Sequence, residues 1–219
     1  FLLLPLYTNT FSTEEFGIYS IVFIFIAFSQ FFYSYGMDAS LMKFFVTTKD
    51  HKNIYSTIFV SLFFTSSFLS FLIWGFSKEI SFVLLQNDFS NLFKISSFIL
   101  FFDSFSFRVL VIHRMENKPY RYLLFTLSNV LITFIGNYYF IIILNTGIVG
   151  ALYATLLGSF FIFLLSIPYL INRVSINCFS FKTLRNLVLF GFPFLPAIIF
   201  QMIIDFSDRH LLVYLTDLN

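Results

Sequence analysis

The sequence predicts an all-α membrane protein, a polytopic bundle of transmembrane helices. Hydrophobic residues make up 58% of the 219 positions and charged residues only 11%, whereas soluble domains are about one quarter charged. The apolar residues fall in successive runs of roughly 20 residues, which is the length that an α-helix needs to cross about 30 Å of hydrocarbon. A transmembrane β-barrel would instead show short segments of alternating polarity. We therefore expect several membrane-spanning helices.

Seven helices are predicted, and only the outer end of the first is present. They cover residues 1–7, 17–37, 54–76, 92–112, 122–144, 148–171 and a stretch that starts near Asn186. Ser12 and Glu15 have the spacing of a capping box, in which each side chain bonds the backbone N–H of the other residue at a helix start. The turn signal Asn145-Thr146-Gly147 divides one long apolar run into two helices. Residues 77–91 are predicted to be a loop whose short apolar patch lies in the membrane interface.

Positive charge falls on alternate loops of this arrangement. One side holds most of the basic residues, namely Lys43, Lys49, Lys52, Arg114, Lys118, Arg121, Arg173, Lys182 and Arg185. The opposite side holds Lys78 and Lys94 among the acids Glu14, Glu15, Glu79 and Asp88. Because short cytoplasmic loops carry an excess of lysine and arginine, the first side is predicted to be cytoplasmic.

The two ends of the chain echo each other. LLLPLYT at residues 2–8 is similar to LLVYLTD at residues 211–217, and six helices separate equivalent points. The chain begins inside one apolar run and ends inside another, so we expect it to be a piece of a longer protein. If the echo is a repeat, the seventh helix opens a second six-helix half, as in transporters built from repeats.

Three segments resemble polysaccharide flippases of the multidrug/oligosaccharidyl-lipid/polysaccharide exporter superfamily. PLYTNTFSTEEFGIYS at residues 5–20 resembles their link between the first and second helices, and YGMDASLMKFF at residues 35–45 is similar to the end of their second helix. LVLFGFPFLPAIIFQMIIDFSDRHLLVYL at residues 187–215 is similar to their seventh helix, with its Gly-Phe-Pro start and its Asp-Arg pair.

The resemblance implies a MATE-like fold, in which two six-helix lobes face each other across a cavity. Residues 1–171 would form the N-terminal lobe, residues 172–185 a cytoplasmic loop between lobes, and residues 186–219 the first helix of the C-terminal lobe. It also implies a transporter rather than an enzyme. A polyprenyl-diphosphate-linked oligosaccharide would cross the cytoplasmic (inner) membrane of a bacterium or archaeon, driven by a cation gradient or the membrane potential.

The predicted seventh helix carries a polar stripe. At helical spacing, Gln201, Asp205, Asp208, Arg209 and Thr216 fall within an arc of roughly 100°. Arg209 suits a diphosphate or an acidic sugar, because a guanidinium binds phosphate oxygens in pairs and stays charged. With Gln201 and Asp208 it is a candidate for substrate binding, and Asp205 is a candidate for ion coupling. Alternatively, Asp205 and Arg209 neutralise each other, or the charges reach the outer interface.

Each of the other polar residues inside the predicted spans has two interpretations. Asp103 is a candidate coupling group or a structural acid, and Arg108 binds substrate or extends to the cytoplasmic interface. Asp38, which follows Gln30 and Ser34 at helical spacing, is a gate contact or an interfacial acid near Lys43. Pro193 and Pro196, in the inner third of the seventh helix, form either a hinge for alternating access or a static kink.

The fifth and sixth helices present different surfaces. Asn129, Thr133 and Asn137 repeat every four residues; Asn129 and Asn137 are candidates for a sugar path, although such side chains equally bond between helices. Gly150, Ala154 and Gly158 predict a close-packing face on the sixth helix.

Several classes of function receive no support from the sequence. The net charge of +2 is too small to suggest a nucleic-acid partner. A single cysteine and three scattered histidines predict no metal site. The sequence lacks a phosphate-binding glycine loop and a nucleophile–base pair, so no cofactor is expected. The expected partners are membrane lipid and a lipid-linked oligosaccharide. Two alternatives stay open: a cation-coupled drug exporter of the same superfamily, and a membrane glycan polymerase or ligase.

Overall fold

The computed structural model describes residues 3–197 and residue 200, and every regular element in that part of the chain is helical. The α-helices are α1 (Leu4–Thr10), α2 (Thr13–Ser34), α3 (Met37–Thr47), α4 (His51–Gly75), α5 (Ser77–Leu85), α6 (Ser90–Met115), α7 (Pro119–Asn137), α8 (Gly147–Ile171) and α9 (Phe181–Gly191). A π-helical turn (Tyr138–Ile143) extends α7, and a short 3-10 turn (Ile176–Cys178) precedes α9.

Within the part of the chain that the structure describes, five helical stretches are long and apolar enough to cross a membrane. They are Thr13–Thr47, His51–Gly75, Ser90–Met115, Pro119–Ile143 and Gly147–Ile171. These correspond to the second to sixth helices that the sequence predicts, so the polytopic helical bundle is confirmed. Helix α6 lies at the centre, where it contacts α2, α3, α4, α5, α7 and α8.

The predicted start and turn signals act as expected. Ser12 Oγ accepts the backbone N–H of Glu15 at 3.2 Å, and Glu15 Oε2 accepts that of Ser12 at 2.9 Å, which completes the capping box of α2. Asn145 and Gly147 both adopt positive φ, at 50° and 58°, and end the α7 stretch before α8 begins. Asparagine and glycine tolerate this left-handed conformation better than other residues do.

The second predicted helix differs from expectation, because it is broken. Tyr35 and Gly36 both have positive φ (32° and 76°), and the chain continues as the separate helix α3. Asp38 therefore lies in the first turn of α3, not at the inner end of the helix that holds Gln30 and Ser34. Ser34 Oγ still donates to Asp38 Oδ2 at 3.0 Å across the break.

Residues 77–91 were expected to form a loop, and this prediction is wrong. They contain α5, whose Ser81 side chain fixes the return to α6: its hydroxyl donates to the Asn87 carbonyl at 2.6 Å and accepts the Phe89 N–H at 2.7 Å. Ser77 and Ser81 face the bundle, whereas Phe82 and Val83 are exposed. A nine-residue helix with polar residues on its buried side has no sequence pattern of a span.

Helices α7 and α8 form the most extensive helix pair, as the small residues predict. A β-carbon on Gly136 would lie 3.0 Å from the Ala154 β-carbon, and one on Gly158 would lie 3.1 Å from Asn129 Oδ1. The predicted packing face of Gly150, Ala154 and Gly158 is therefore confirmed.

The three basic loops lie at one end of the bundle. Asn53 Nδ2 donates to the Cys178 carbonyl at 2.9 Å, which joins the start of α4 to the segment before α9. Tyr169 donates to Glu116 at 2.9 Å, and Arg173 forms an ion pair with the same carboxylate. These contacts agree with the loop alternation predicted from charge. We call this end the basic end.

Helix α9 starts five residues earlier than expected and stops before the prolines. The Ser180 side chain caps its first turn by accepting the Thr183 N–H at 3.3 Å. The helix ends at Gly191, and a turn at residues 192–193 contains Pro193; residues 194–197, which include Pro196, are helical again, and both prolines are exposed. The expected helix that begins at Asn186 is thus interrupted at Pro193, because proline removes a backbone donor. Their role as a hinge stays a prediction.

Helix α9 is held against α3 by close backbone packing. Ser40 Oγ donates to the Leu187 carbonyl at 2.6 Å, and Leu187 is fully buried. A β-carbon on Gly191 would lie 2.8 Å from the Gly36 carbonyl carbon. Only glycine allows this approach, and the positive φ of Gly36 favours glycine there as well.

Candidate functional site

A groove runs along α6 and α7, and its first section lies toward the basic end. This basic-end cleft has a volume of about 450 Å³. Its walls include Asp38, Phe107, Arg114, Tyr122, Thr126 and Asn129. The volume is within the range of about 300–1,000 Å³ typical of ligand sites.

The second section lies farther from the basic loops, between α2, α6, α7 and α8. This aromatic cleft also measures about 450 Å³. One wall carries the rings of Tyr7, Phe16, Tyr19 and Phe23, and the other carries Asp103, Asn129, Thr133, Thr155 and Ser159. Phe107 and Asn129 line both clefts, so the two sections adjoin and form one groove.

Asp38 and Arg108 form an ion pair that no sequence pattern suggested. Arg108 Nε lies 3.2 Å from Asp38 Oδ1, and Arg108 Nη1 donates to the Ser104 carbonyl at 3.0 Å. The Arg108 side chain is 0% exposed and that of Asp38 is 38% exposed. Arg108 therefore does not extend to the interface, and in this conformation a molecule in the groove meets Asp38 rather than the guanidinium. Asp38 pairs with Arg108 instead of Lys43.

Asp103 and Asn129 both line the aromatic cleft, where their side chains can bond a ligand in the groove. Asp103 lines the aromatic cleft from α6, and Ser159 of α8 lines the same cleft. Thr133 Oγ1 donates to Asn129 Oδ1 at 3.2 Å, one helical turn away on α7. The structure thus brings these two predicted site residues together on neighbouring helices.

Asn137 lies apart from the groove walls and bonds between elements. It is fully buried; its Oδ1 accepts the Tyr7 hydroxyl at 2.9 Å, and its Nδ2 donates to the Thr133 carbonyl at 2.7 Å. This geometry matches the alternative in which the α7 asparagines join helices. Gln201, Asp205, Asp208, Arg209 and Thr216 lie outside the described residues.

Charge at the basic end is concentrated around Glu116. Partial burial favours a raised pKa for this carboxyl, but hydrogen bonds from Lys118, Arg173 and Tyr169 outweigh burial and hold its pKa below the usual value. Glu116 also pairs with Lys118 at 2.6 Å. Arg114 makes no ion pair within the described part of the chain and contributes a positive charge to the wall of the basic-end cleft.

Among the described residues, no three His, Cys, Asp or Glu side chains come together as a metal-binding group. The chemistry of the groove is that of a mixed surface. It offers hydroxyls, one carboxamide, two carboxylates, one cation and several aromatic rings.

The model of a known protein family matches the chain over residues 10–215, under the description polysaccharide biosynthesis protein. The chain belongs to the polysaccharide biosynthesis protein family. No curated protein and no solved structure matches it. The family resemblance drawn from the three segments is thereby confirmed, and family membership assigns the protein a role in polysaccharide synthesis or export. With five candidate spans among its described residues, it is a multi-pass membrane protein of that family.

Proposed function

We propose that this protein is a transporter that flips a polyprenyl-diphosphate-linked oligosaccharide across the cytoplasmic membrane for surface polysaccharide biosynthesis. The observation that carries the proposal is the groove. It follows the membrane-spanning helices α6 and α7, and its mainly apolar walls carry two carboxylates, a guanidinium, a carboxamide and several hydroxyls. A groove with such polar groups along spanning helices suits a polar head that crosses the bilayer while its lipid tail stays in hydrocarbon. Family membership supplies the link to polysaccharide.

Burying polar groove residues inside membrane-spanning helices costs free energy, so their presence there supports a transport role. Ionisable groups inside spans are expensive and usually face a wet cavity or the bundle interior. Asp103 and Asp38 both line the groove from within spanning stretches. In this proposal they are the gating or ion-coupling groups, with Asp205, and the lobes rock to expose the groove alternately. Arg209, Asp208 and Gln201 would add substrate contacts from the seventh helix, and Arg108 would act through Asp38.

The proposal is tested by blocking the groove in the complete protein. Thr126 lines the basic-end cleft on α7, and the next residue, Leu127, is exposed and lies outside the groove wall. Thr126→Trp places an indole in the groove, whereas Leu127→Trp places the same side chain on the lipid-facing surface. Both variants are expressed in a strain that lacks the native gene.

The measured quantities are surface polymer and the lipid-linked repeat unit that accumulates on the cytoplasmic leaflet. We expect Thr126→Trp to lose surface polymer and accumulate the precursor, while Leu127→Trp behaves as wild type at equal protein level. Equal surface polymer in the two variants would refute transport through this groove. Loss of polymer without accumulation of the precursor would instead indicate a polymerase or ligase.

A further inference from the structure

The two clefts of the groove differ in chemistry, and the aromatic cleft has an unusual wall. Tyr19 stands at the centre of a row of rings: its centroid lies 4.8 Å from that of Tyr7, 4.4 Å from that of Phe23 and 6.1 Å from that of Phe16. The contacts between the rings fix their positions, and the row faces into the cleft from α1 and α2. Ring faces carry negative partial charge, so they attract the weakly positive C–H groups of a ligand.

The opposite wall can form hydrogen bonds with the hydroxyl groups of a ligand. Asp103, Asn129, Thr133, Thr155 and Ser159 approach from α6, α7 and α8 and provide both donors and acceptors. An isoprenoid or acyl chain in this cleft would leave those polar groups without partners, which is costly in a water-poor site. A phosphate would meet the Asp103 carboxylate, and no cation stands among the described residues of the cleft walls. A pyranose satisfies both walls, because one face of the ring is lined with C–H groups and its rim carries hydroxyls.

We propose that the aromatic cleft is a pyranose-binding subsite, in which Tyr19 and Phe23 contact a sugar face and Asp103, Asn129 and Thr155 bond its hydroxyls. This inference rests on the proposed transport function and assigns the substrate a direction. The sugar lies in the aromatic cleft, and the diphosphate lies toward Arg114 in the basic-end cleft. Asp38 repels an anion in that cleft only weakly, because its charge is neutralised by the ion pair with Arg108.

The test is binding of lipid-free probes to the complete, detergent-purified protein, measured by saturation-transfer-difference NMR. The probes are the methyl β-pyranosides of glucose, galactose and N-acetylglucosamine, with inorganic pyrophosphate as a second ligand followed by phosphorus NMR. We expect saturation transfer to the ring C–H protons of at least one glycoside. Phe23→Leu keeps apolar volume but removes a ring face, so it should weaken that glycoside by about three- to tenfold.

Matched variants separate the subsite from general damage. Phe32→Leu makes the same change on the exposed side of α2 and should leave sugar binding unchanged. Thr155→Val is close to isosteric; it removes a groove hydroxyl whose only described bond within the protein is to the Ala151 carbonyl. It should weaken the glycoside even if Phe23→Leu fails to fold. Arg114→Ala should weaken the binding of pyrophosphate but not the binding of the glycoside.

Three results would refute the subsite. The first is no saturation transfer to any glycoside in the wild-type protein, and the second is equal affinity of Thr155→Val and wild type for the glycoside. The third is loss of glycoside binding in Arg114→Ala but in neither of the aromatic-cleft variants. The transport proposal fails separately. If the wild-type protein binds glycoside in a Phe23-dependent manner but Thr126→Trp does not impair export, the subsite stands and transport through the groove does not. If export is blocked by Thr126→Trp and Phe23→Leu binds sugar normally, only the subsite is refuted.

Discussion

Removing either member of the Asp38–Arg108 ion pair should have strongly unequal effects on stability. The pair joins the first turn of α3 to α6, with Arg108 Nε 3.2 Å from Asp38 Oδ1. Arg108 is 0% exposed, whereas Asp38 is 38% exposed and also accepts the Ser34 hydroxyl at 3.0 Å. Asp38→Asn therefore leaves a buried guanidinium without its ion-pair partner. Arg108→Met leaves a carboxylate that can still reach the groove and Ser34.

The magnitudes follow from this difference in burial. Breaking a buried pair by removing one partner costs about 3–5 kcal/mol when the remaining charge is fully buried. We expect about 3 kcal/mol for Asp38→Asn, at the low end, because Ser104 still accepts a hydrogen bond from Arg108. We expect about 1 kcal/mol for Arg108→Met, because partly exposed charges contribute little. The double variant Asp38→Asn/Arg108→Met should be close to Arg108→Met alone, because the buried guanidinium that needs Asp38 is no longer present.

The assay is unfolding of the complete protein in mixed micelles by titration with sodium dodecyl sulfate, followed by circular dichroism. The four proteins of the cycle give a coupling free energy, whose magnitude we expect to be about 3 kcal/mol. Glu14→Gln, an exposed acid in the first turn of α2, controls for a general charge effect. Additive single effects, or equal losses from the two single variants, would refute the assignment of a buried cation held by Asp38.

Three further predictions concern packing and pH. Gly191→Ala should destabilise the protein by about 1–3 kcal/mol in the same titration, because the new β-carbon meets the α3 backbone; unchanged unfolding would contradict the α3–α9 contact. Tyr7→Phe should cost about 1 kcal/mol, because it leaves the buried Asn137 acceptor unpaired; Tyr7→Phe in an Asn137→Leu background should then cost less. The lowered pKa of Glu116 means that its ion pair with Arg173 stabilises the protein at neutral pH and weakens as the pH falls below about 4.3. Glu116→Gln should therefore lose less thermal stability than wild type as the pH falls from about 7 to about 3, well below the unfolded pKa, and an identical decline over that range would exclude this role.

The sequence allowed prediction of those parts of the fold that depend on local patterns. Hydropathy identified the five spans because each must match the bilayer thickness. The Ser12–Glu15 capping box and the turn at Asn145–Gly147 were recognised because their side chains and backbone freedom act within a few residues. Helix α5 was missed because three of its apolar residues, Phe82, Val83 and Leu84, face outward and a nine-residue helix has no span-length signal.

The site was less predictable because its geometry depends on contacts between distant helices. Asp103 and Asn129 stood out as polar residues inside spans, and both line the groove. The aromatic wall gave no signal, since Tyr19 and Phe23 are two of many aromatic residues in a chain that is 23% aromatic. What distinguishes these two residues is the polar wall opposite them, and only the packing of α2 against α6 and α8 brings the two walls together.

The break between α2 and α3 explains why the position of Asp38 could not be derived from its helix. A continuous helix would keep Asp38 on the face of Gln30 and Ser34, and its partner would be sought on that face. Two consecutive residues in the left-handed region change the direction of the chain, so the α2 register no longer fixes where α3 side chains point. The Gly36 contact with α9 and the Asp38 contact with α6 hold the new direction on either side of the break. Because Asp38 also lines the groove, the conformation of two backbone residues decides whether this acid faces the groove at all.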